Sequence, residues 1–121
     1  MDKTSGQEIL VSIITPCFNS EKTIEKTLAC IEEQTYSNIE YIIIDGGSTD
    51  ATLERIDSHR RQLPAQLRVI SEKDGGIYDA MNKGIRLASG QLIGIVNSDD
   101  WYEPDTVWQA VSSYQGNPYE V

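Results

Sequence analysis

The sequence is short of basic charge, of histidine and of long apolar runs, and each shortage removes a class of function. Ten lysines and arginines stand against nineteen aspartates and glutamates, a net charge of -9 at pH 7. Phosphate backbones and anionic lipid surfaces are repelled by such a chain, which disfavours nucleic-acid binding. No apolar stretch approaches the roughly 20 residues that cross a bilayer. Met1 to Glu8 is polar rather than signal-like, so the chain is expected in the cytoplasm, at most peripheral to the inner face of a membrane. Cys17 lies in an apolar run and Cys30 in a helical one, without CxxC spacing or a histidine cluster. That argues against zinc and for reduced, structural thiols. The one histidine, His59, sits beside Arg60 and Arg61 in a polar segment and is read as a surface imidazole with no role. With 121 residues there is about one domain, small for an enzyme with two substrates.

What is present is a series of four strand-then-helix units. Leu10 to Thr15 is a short β-branched apolar run closed by Pro16, which reads as a strand buried on both faces. Ser20 is a plausible N-cap for a helix through about Gln34, with Ile24, Leu28 and Ile31 at helical spacing. Tyr41 to Ile44 is a second strand, followed by a turn-rich loop from Asp45 to Asp50 and a helix from Ala51 to about Arg61. Leu67 to Ile70 is a third strand; after Asp74-Gly75-Gly76 a helix carries Ile77, Met81, Ile85 and Ala88, with Gly90 as its C-cap. Leu92 to Val96 is the fourth strand, and Pro104 suits the first turn of a last helix with Val107 and Val111. This alternation predicts an α/β fold in three layers, a mostly parallel sheet with helices on both faces.

In such sheets ligands bind outside the carboxyl ends of the strands, and the residues placed there are acidic and glycine-rich. The first strand delivers Pro16, Phe18, Asn19 and Glu21, and the second Asp45 to Asp50. The third delivers Glu72, Asp74 and two glycines, and the fourth Asn97, Ser98, Asp99 and Asp100. Each group alone is satisfied by a turn or a helix cap. Together, carboxylates at the same end of three successive strands would repel one another unless a cation or a set of hydroxyl and N–H donors lay between them. Adjacent Asp99 and Asp100 suit a hard ion, Mg2+ or Mn2+, that also takes substrate phosphates. Asp45 or Asp99 could hold a ribose by its two hydroxyls. No GxxxxGK[ST] loop and no GxGxxG on the first strand is present, which removes kinase, GTPase and NAD dehydrogenase readings.

Four segments in order, VSIITPCFN, IEYIIIDGGSTDAT, SEKDGGIYDAMNKGI and GQLIGIVNSDDWYEPD, resemble the amino-terminal half of a family 2 glycosyltransferase. The resemblance covers about residues 10 to 110. It implies the GT-A fold and transfer of a sugar from a nucleoside-diphosphate donor with inversion. By the same resemblance Pro16, Phe18 and Asn19 line the nucleotide pocket, Glu21 lies near the ribose, and Asp45 and Asp74 read the base edge. Asp99 would contact ribose or metal, Asp100 would be the metal ligand, and Asp79, Asn82 and Lys83 would belong to a motif that shapes the donor site. Many relatives carry an aspartate where this chain has Asn97 and an arginine where it has Met81, which shifts metal binding towards Asp100 and leaves a phosphate contact either absent or supplied by Lys83.

The resemblance further implies a nucleoside-diphosphate sugar, with uracil favoured, as donor, a saccharide or lipid-linked acceptor, and a setting in polysaccharide or cell-wall synthesis. It puts the general base beyond Val121, so the chain reads as a truncated domain, residues 1–121 being the donor-binding part without the acceptor-binding half and 1–8 being disordered. An exposed sheet edge leaves a homodimer open. The competing readings are a non-catalytic sugar-nucleotide-binding module and, more distantly, a nucleotidyltransferase, for which TPCFNSEKT is a poor triphosphate loop.

Overall fold

The computed structural model describes residues 9–116, so the expectation of disorder over 1–8 lies outside the described residues. Eight elements alternate: β1 (Val11–Cys17), α1 (Ile24–Glu32), β2 (Ile39–Asp45), α2 (Thr52–Ser58), β3 (Gln66–Ser71), α3 (Ile77–Leu87), β4 (Leu92–Ile95) and α4 (Thr106–Gly116). The sheet is parallel throughout, in the order β3-β2-β1-β4. Every residue of β1 and β2 is buried, as expected of mainly apolar central parallel strands, and the polar Ser12, Thr15, Glu40 and Asp45 among them are hydrogen-bonded. The chain steps outward from β1 to β3, then returns past β1 to β4. Right-handed crossovers in opposite directions put their helices on opposite faces. Ile24, Leu28 and Ile31 of α1, Ile56 of α2 and Val107 and Val111 of α4 share one core; Ala80 of α3 packs on Ile14, Ile42 and Ile44 on the other face.

Several boundaries and roles differ from the sequence reading. Strand β1 runs through Pro16 to Cys17 instead of stopping at the proline. Leu10 and Ile14 turn their carbonyls to the β4 side, accepting from Gln91 and Val96. Pro16 shares that orientation, and β4 ends at Ile95, so its missing N–H falls where no strand needs it. Helix α1 starts at Ile24, not at Ser20. The Ser20 carbonyl accepts from Thr23 and Ile24 in a preceding turn, and its side chain is used elsewhere. On α3 the inward residues are Ala80 and Gly84, whereas Ile77 and Ile85 are 48% and 43% exposed. A Cβ on Gly84 would stand 2.5 Å from Ile14 Cγ2, so the helix approaches the sheet through its small residues and leaves Ile77 and Ile85 outward, while Ala88 of the expected stripe packs against the core. Gly90 is not the C-cap, which is Ala88. It is small because a Cβ there would lie 2.7 Å from Leu10 O and from Ser12 N.

Two polar groups pin the layers. Glu40, buried at the amino end of the sheet, accepts from Ser12 Oγ (2.8 Å), Ser89 N–H (2.9 Å) and Ser89 Oγ (2.8 Å). Burial pushes its carboxyl up, but these bonds outweigh it and hold it below the usual range. His59, expected to be idle, joins α2 to α1: Nδ1 is 2.5 Å from Glu32 Oε1 and Nε2 3.4 Å from Glu25 Oε1.

Candidate functional site: a two-compartment cleft

The carboxyl ends of β1 and β2 are joined by a ladder of hydrogen bonds from backbone to side chain. Asn19 N–H donates to Ser48 Oγ (2.8 Å), Ser20 N–H to Thr52 Oγ1 (2.8 Å) and Glu21 N–H to Asp50 Oδ2 (3.2 Å). Asn19 returns the tie, its Oδ1 accepting from Thr49 N–H at 2.9 Å. Its φ of +47° is the left-handed region that asparagine tolerates better than most residues. Asp50 also takes Thr52 N–H on Oδ1, so its carboxylate caps α2 and braces the neighbouring loop.

Asp45 anchors this arrangement from below. It is fully buried and its oxygens are filled: Oδ1 accepts from Ser48 Oγ (2.5 Å) and Cys17 Sγ (3.5 Å), and Oδ2 from Gly47 N–H (3.1 Å), Ser48 N–H (2.9 Å) and Ser71 Oγ (2.7 Å). Burial would raise its pKa, yet the bonds from Ser48 and Ser71 prevail and keep it ionised below the usual range. Cys17 is pushed well up, by burial first and then by the charge of Asp45, which makes it an inert thiol. The Asp45 carboxylate, expected at the nucleotide base or ribose, is turned into its own loop in this geometry and does not line the cleft. It shapes the Gly46-Gly47-Ser48 turn.

Above these loops lies a cleft in two compartments that share Pro16 and Ile77 as their common wall. The first, about 500 Å³, is mainly apolar, with Phe18, Cys17 and Ala80 in its walls, the Gly46-Gly47 backbone on one side and Asp74 on another. Phe18 is 60% exposed, a free aromatic face at the mouth. Among the described residues Asp74 is the one carboxylate lining this compartment. Its Oδ1 accepts from Gly76 N–H at 2.9 Å. The second compartment, about 620 Å³, is polar and bounded by Asn19, Glu21, Lys22, Asn97, Ser98 and Asp99.

The turn after β4 is held from beneath by a residue the sequence reading passed over. Thr27, buried on α1, donates to Asp100 O (2.5 Å) and approaches Asn97 O (3.3 Å), while Asp100 N–H closes the turn on Asn97 O at 2.9 Å. Ser98 Oγ and Ser20 Oγ lie 2.8 Å apart, linking this turn to the loop after β1. Asp99 and Asp100 are both exposed. Asn97 Oδ1 is buried and accepts no hydrogen bond. Among the described residues no three His, Cys, Asp or Glu side chains converge as a closed metal site. Two exposed carboxylates beside an unsatisfied amide oxygen do fit a hard cation that completes its shell with phosphate oxygens and water.

Lys83 and Asn82 do not line either compartment. Lys83 Nζ is 3.1 Å from Glu72 and 3.7 Å from Asp79 and faces the β3 side of α3. Asn82 is exposed, two residues from both Ala80 and Gly84 and so on the opposite side of the helix from the sheet. The supporting residues had weaker signals: Ser48 stands three after Asp45, as side-chain-closed turns favour, and Thr27 is a hydroxyl on the apolar face of Ile24, Leu28 and Ile31.

The parallel α/β sheet with flanking helices matches solved GT-A transferases. S. aureus TarS 1–349, solved in complex with UDP-GlcNAc, superposes with a TM-score of 0.83 at 29% identity, over 91% of this chain and 32% of that one. The mannosyltransferase PcManGT from Pyrobaculum calidifontis, in complex with GDP-Man and Mn2+, gives 0.76 at 29% identity, over 88% and 32%. In sequence, the chondroitin synthase of Escherichia coli is 42% identical over 98 residues, 81% of this chain and 14% of that protein. Residues 12–121 match the family described as Glycosyl transferase family 2, and the chain belongs to it. It spans well under half the length of these relatives. No helix among the described residues is long and apolar enough to cross a membrane.

Proposed function

We propose that this chain binds the nucleoside diphosphate of a sugar nucleotide, UDP-sugar by preference, as the donor side of an inverting sugar transfer. The observation that carries the reading is the division of one cleft into an apolar compartment with a single carboxylate and a polar compartment ending at Asp99. A base is flat, apolar on its faces and polar on its edge; a ribose diphosphate is hydroxyl-rich and anionic. The two compartments have those chemistries in that order, and two structural relatives are complexes with UDP-GlcNAc and with GDP-Man.

In this reading Phe18 and Pro16 cover the faces of the base and Asp74 accepts from its edge. Glu21 and Asp99 take ribose hydroxyls, and Asn19, Ser20 and Ser98 hold the polar floor rigid. Asp100, with Asp99 and the Asn97 amide beside it, would hold Mg2+ or Mn2+. A bound divalent ion would neutralise the charge that grows on the diphosphate as it leaves. The acceptor hydroxyl attacks the anomeric carbon from the face opposite the breaking bond to diphosphate, which inverts that carbon; the base that takes its proton belongs to the acceptor-binding part of the protein, as do the acceptor, saccharide or lipid-linked, and the linkage.

The test is calorimetric titration of the chain with UDP, GDP and dTDP, each with and without Mn2+, repeated on Asp100→Ala. Binding of UDP that strengthens at least about tenfold with Mn2+ and loses that gain in Asp100→Ala is expected. Equal binding with and without the ion, in both proteins, would overturn the metal-assisted reading.

A further inference from the structure

We propose that Gly46 is a specificity-determining residue of the base compartment: its missing side chain is the seat of the Asp74 carboxylate, and that seat makes the compartment select bases with a ring N–H. The inference rests on the reading of this compartment as the base site. A Cβ built on Gly46 would lie 3.0 Å from both Asp74 carboxylate oxygens and 3.2 Å from its Cγ, closer than ordinary contact. The positive φ values among the glycines belong to Gly47 and Gly76, so Gly46 has a backbone that any residue adopts, and the requirement for glycine is steric. Its main chain cannot retreat: Gly46 N–H donates to Cys17 O at 2.9 Å, and the preceding Asp45 carbonyl is held by Glu72 N–H at 3.0 Å. A side chain at 46 would therefore move the carboxylate and not the backbone.

The seat determines what Asp74 can read. Oδ1 takes the Gly76 N–H, and no hydrogen bond among the described residues falls on Oδ2, which is the freer acceptor of this wall carboxylate. A carboxylate only accepts. Uracil, thymine and guanine present a ring N–H at the middle of their pairing edge, whereas cytosine and adenine present a lone pair there. Facing Oδ2, the first group gains a charge-assisted hydrogen bond and the second meets acceptor against acceptor. Asp45, the other acid expected at the base, has no free oxygen to change this preference.

The experiment compares UDP with CDP, which share ribose and diphosphate and differ only at the base edge, by amide NMR titration in the presence of Mg2+. The native chain is expected to prefer UDP by roughly tenfold or more. Gly46→Ala should lower UDP affinity by about that factor, leave CDP unchanged and bring the ratio near one; in an Asp74→Ala background the same substitution should do nothing further. Asp74→Asn, isosteric and therefore independent of any folding defect in Gly46→Ala, places an N–H donor at Oδ2 and should reverse the preference towards CDP. Binding of neither nucleotide to the native chain would sink the base-site reading itself. Equal affinity for both in the native chain, an unchanged ratio in Gly46→Ala, or equal loss of both nucleotides in that variant would leave the base site standing and overturn the role of Gly46.

Discussion

The loops after β2 and β4 are both acidic, yet they use their carboxylates in opposite ways. In DGGSTD, Asp45 and Asp50 are turned inward on serine and threonine hydroxyls and on backbone N–H groups. In NSDD the support comes from outside, from Thr27 on α1, and Asp99 and Asp100 stay exposed. An acidic residue at a strand end is thus a candidate ligand only when its lone pairs are not already filled by its own turn. The carboxylates of the first loop hold its own turn, and on the proposed reading those of the second make the contact.

The contrast can be broken most forcefully at Asp45. Asp45→Ala removes the acceptor for five donors in a buried place and should cost about 3 kcal/mol of stability, read as a lower urea midpoint at unchanged m-value. The same difference has a pH signature. Because Asp45 and Glu40 are held below the ordinary carboxylate range, their contribution is complete at neutral pH and is lost as the pH falls below about 4. Thermal melts from pH 7 to pH 3 should show that decline, flattened in Asp45→Asn.

Asp99→Ala is the counterpart, expected to leave stability within about 0.5 kcal/mol while weakening UDP binding in Mg2+ by roughly tenfold. Thr27→Val, which keeps the shape and deletes the hydroxyl under Asp100, should cost about 1 kcal/mol by denaturant melts. The smallest effect belongs to Lys83→Met. Its ammonium is raised by the hydrogen bond to Glu72 and by nearby acids on the side of α3 away from the polar compartment, so UDP affinity should hardly move; a tenfold loss would restore the phosphate contact expected from the sequence.

The order of elements, the parallel sheet and the edge at which the cleft opens were legible because four short, mainly apolar and β-branched runs alternate with helical patterns, and parallel strands need such crossovers. The β3-β2-β1-β4 order is not written in any local pattern; it follows from which edge β4 joins. The α3 packing face was misread because hydrophobic periodicity favours large residues, whereas close approach to Ile14 selects Ala80 and Gly84. Pro16, Phe18, Asn19, Glu21, Asp74 and Asp99 border the cleft, and Asp100 shares the turn of Asp99. Asp45, Asn82 and Lys83 do not border it, since sequence position tells which strand end carries a side chain but not whether that side chain is turned into its own turn, out to solvent or towards a neighbour.

The central claim is the division of labour between these carboxylates, and carboxyl carbon NMR of the chain labelled at aspartate measures it directly. On adding UDP and Mg2+, the side-chain carbons of Asp74, Asp99 and Asp100 should shift in a saturable way while that of Asp45 stays fixed. A saturable shift at Asp45 matching those three, or none at Asp99 and Asp100 when UDP is bound, would contradict the account.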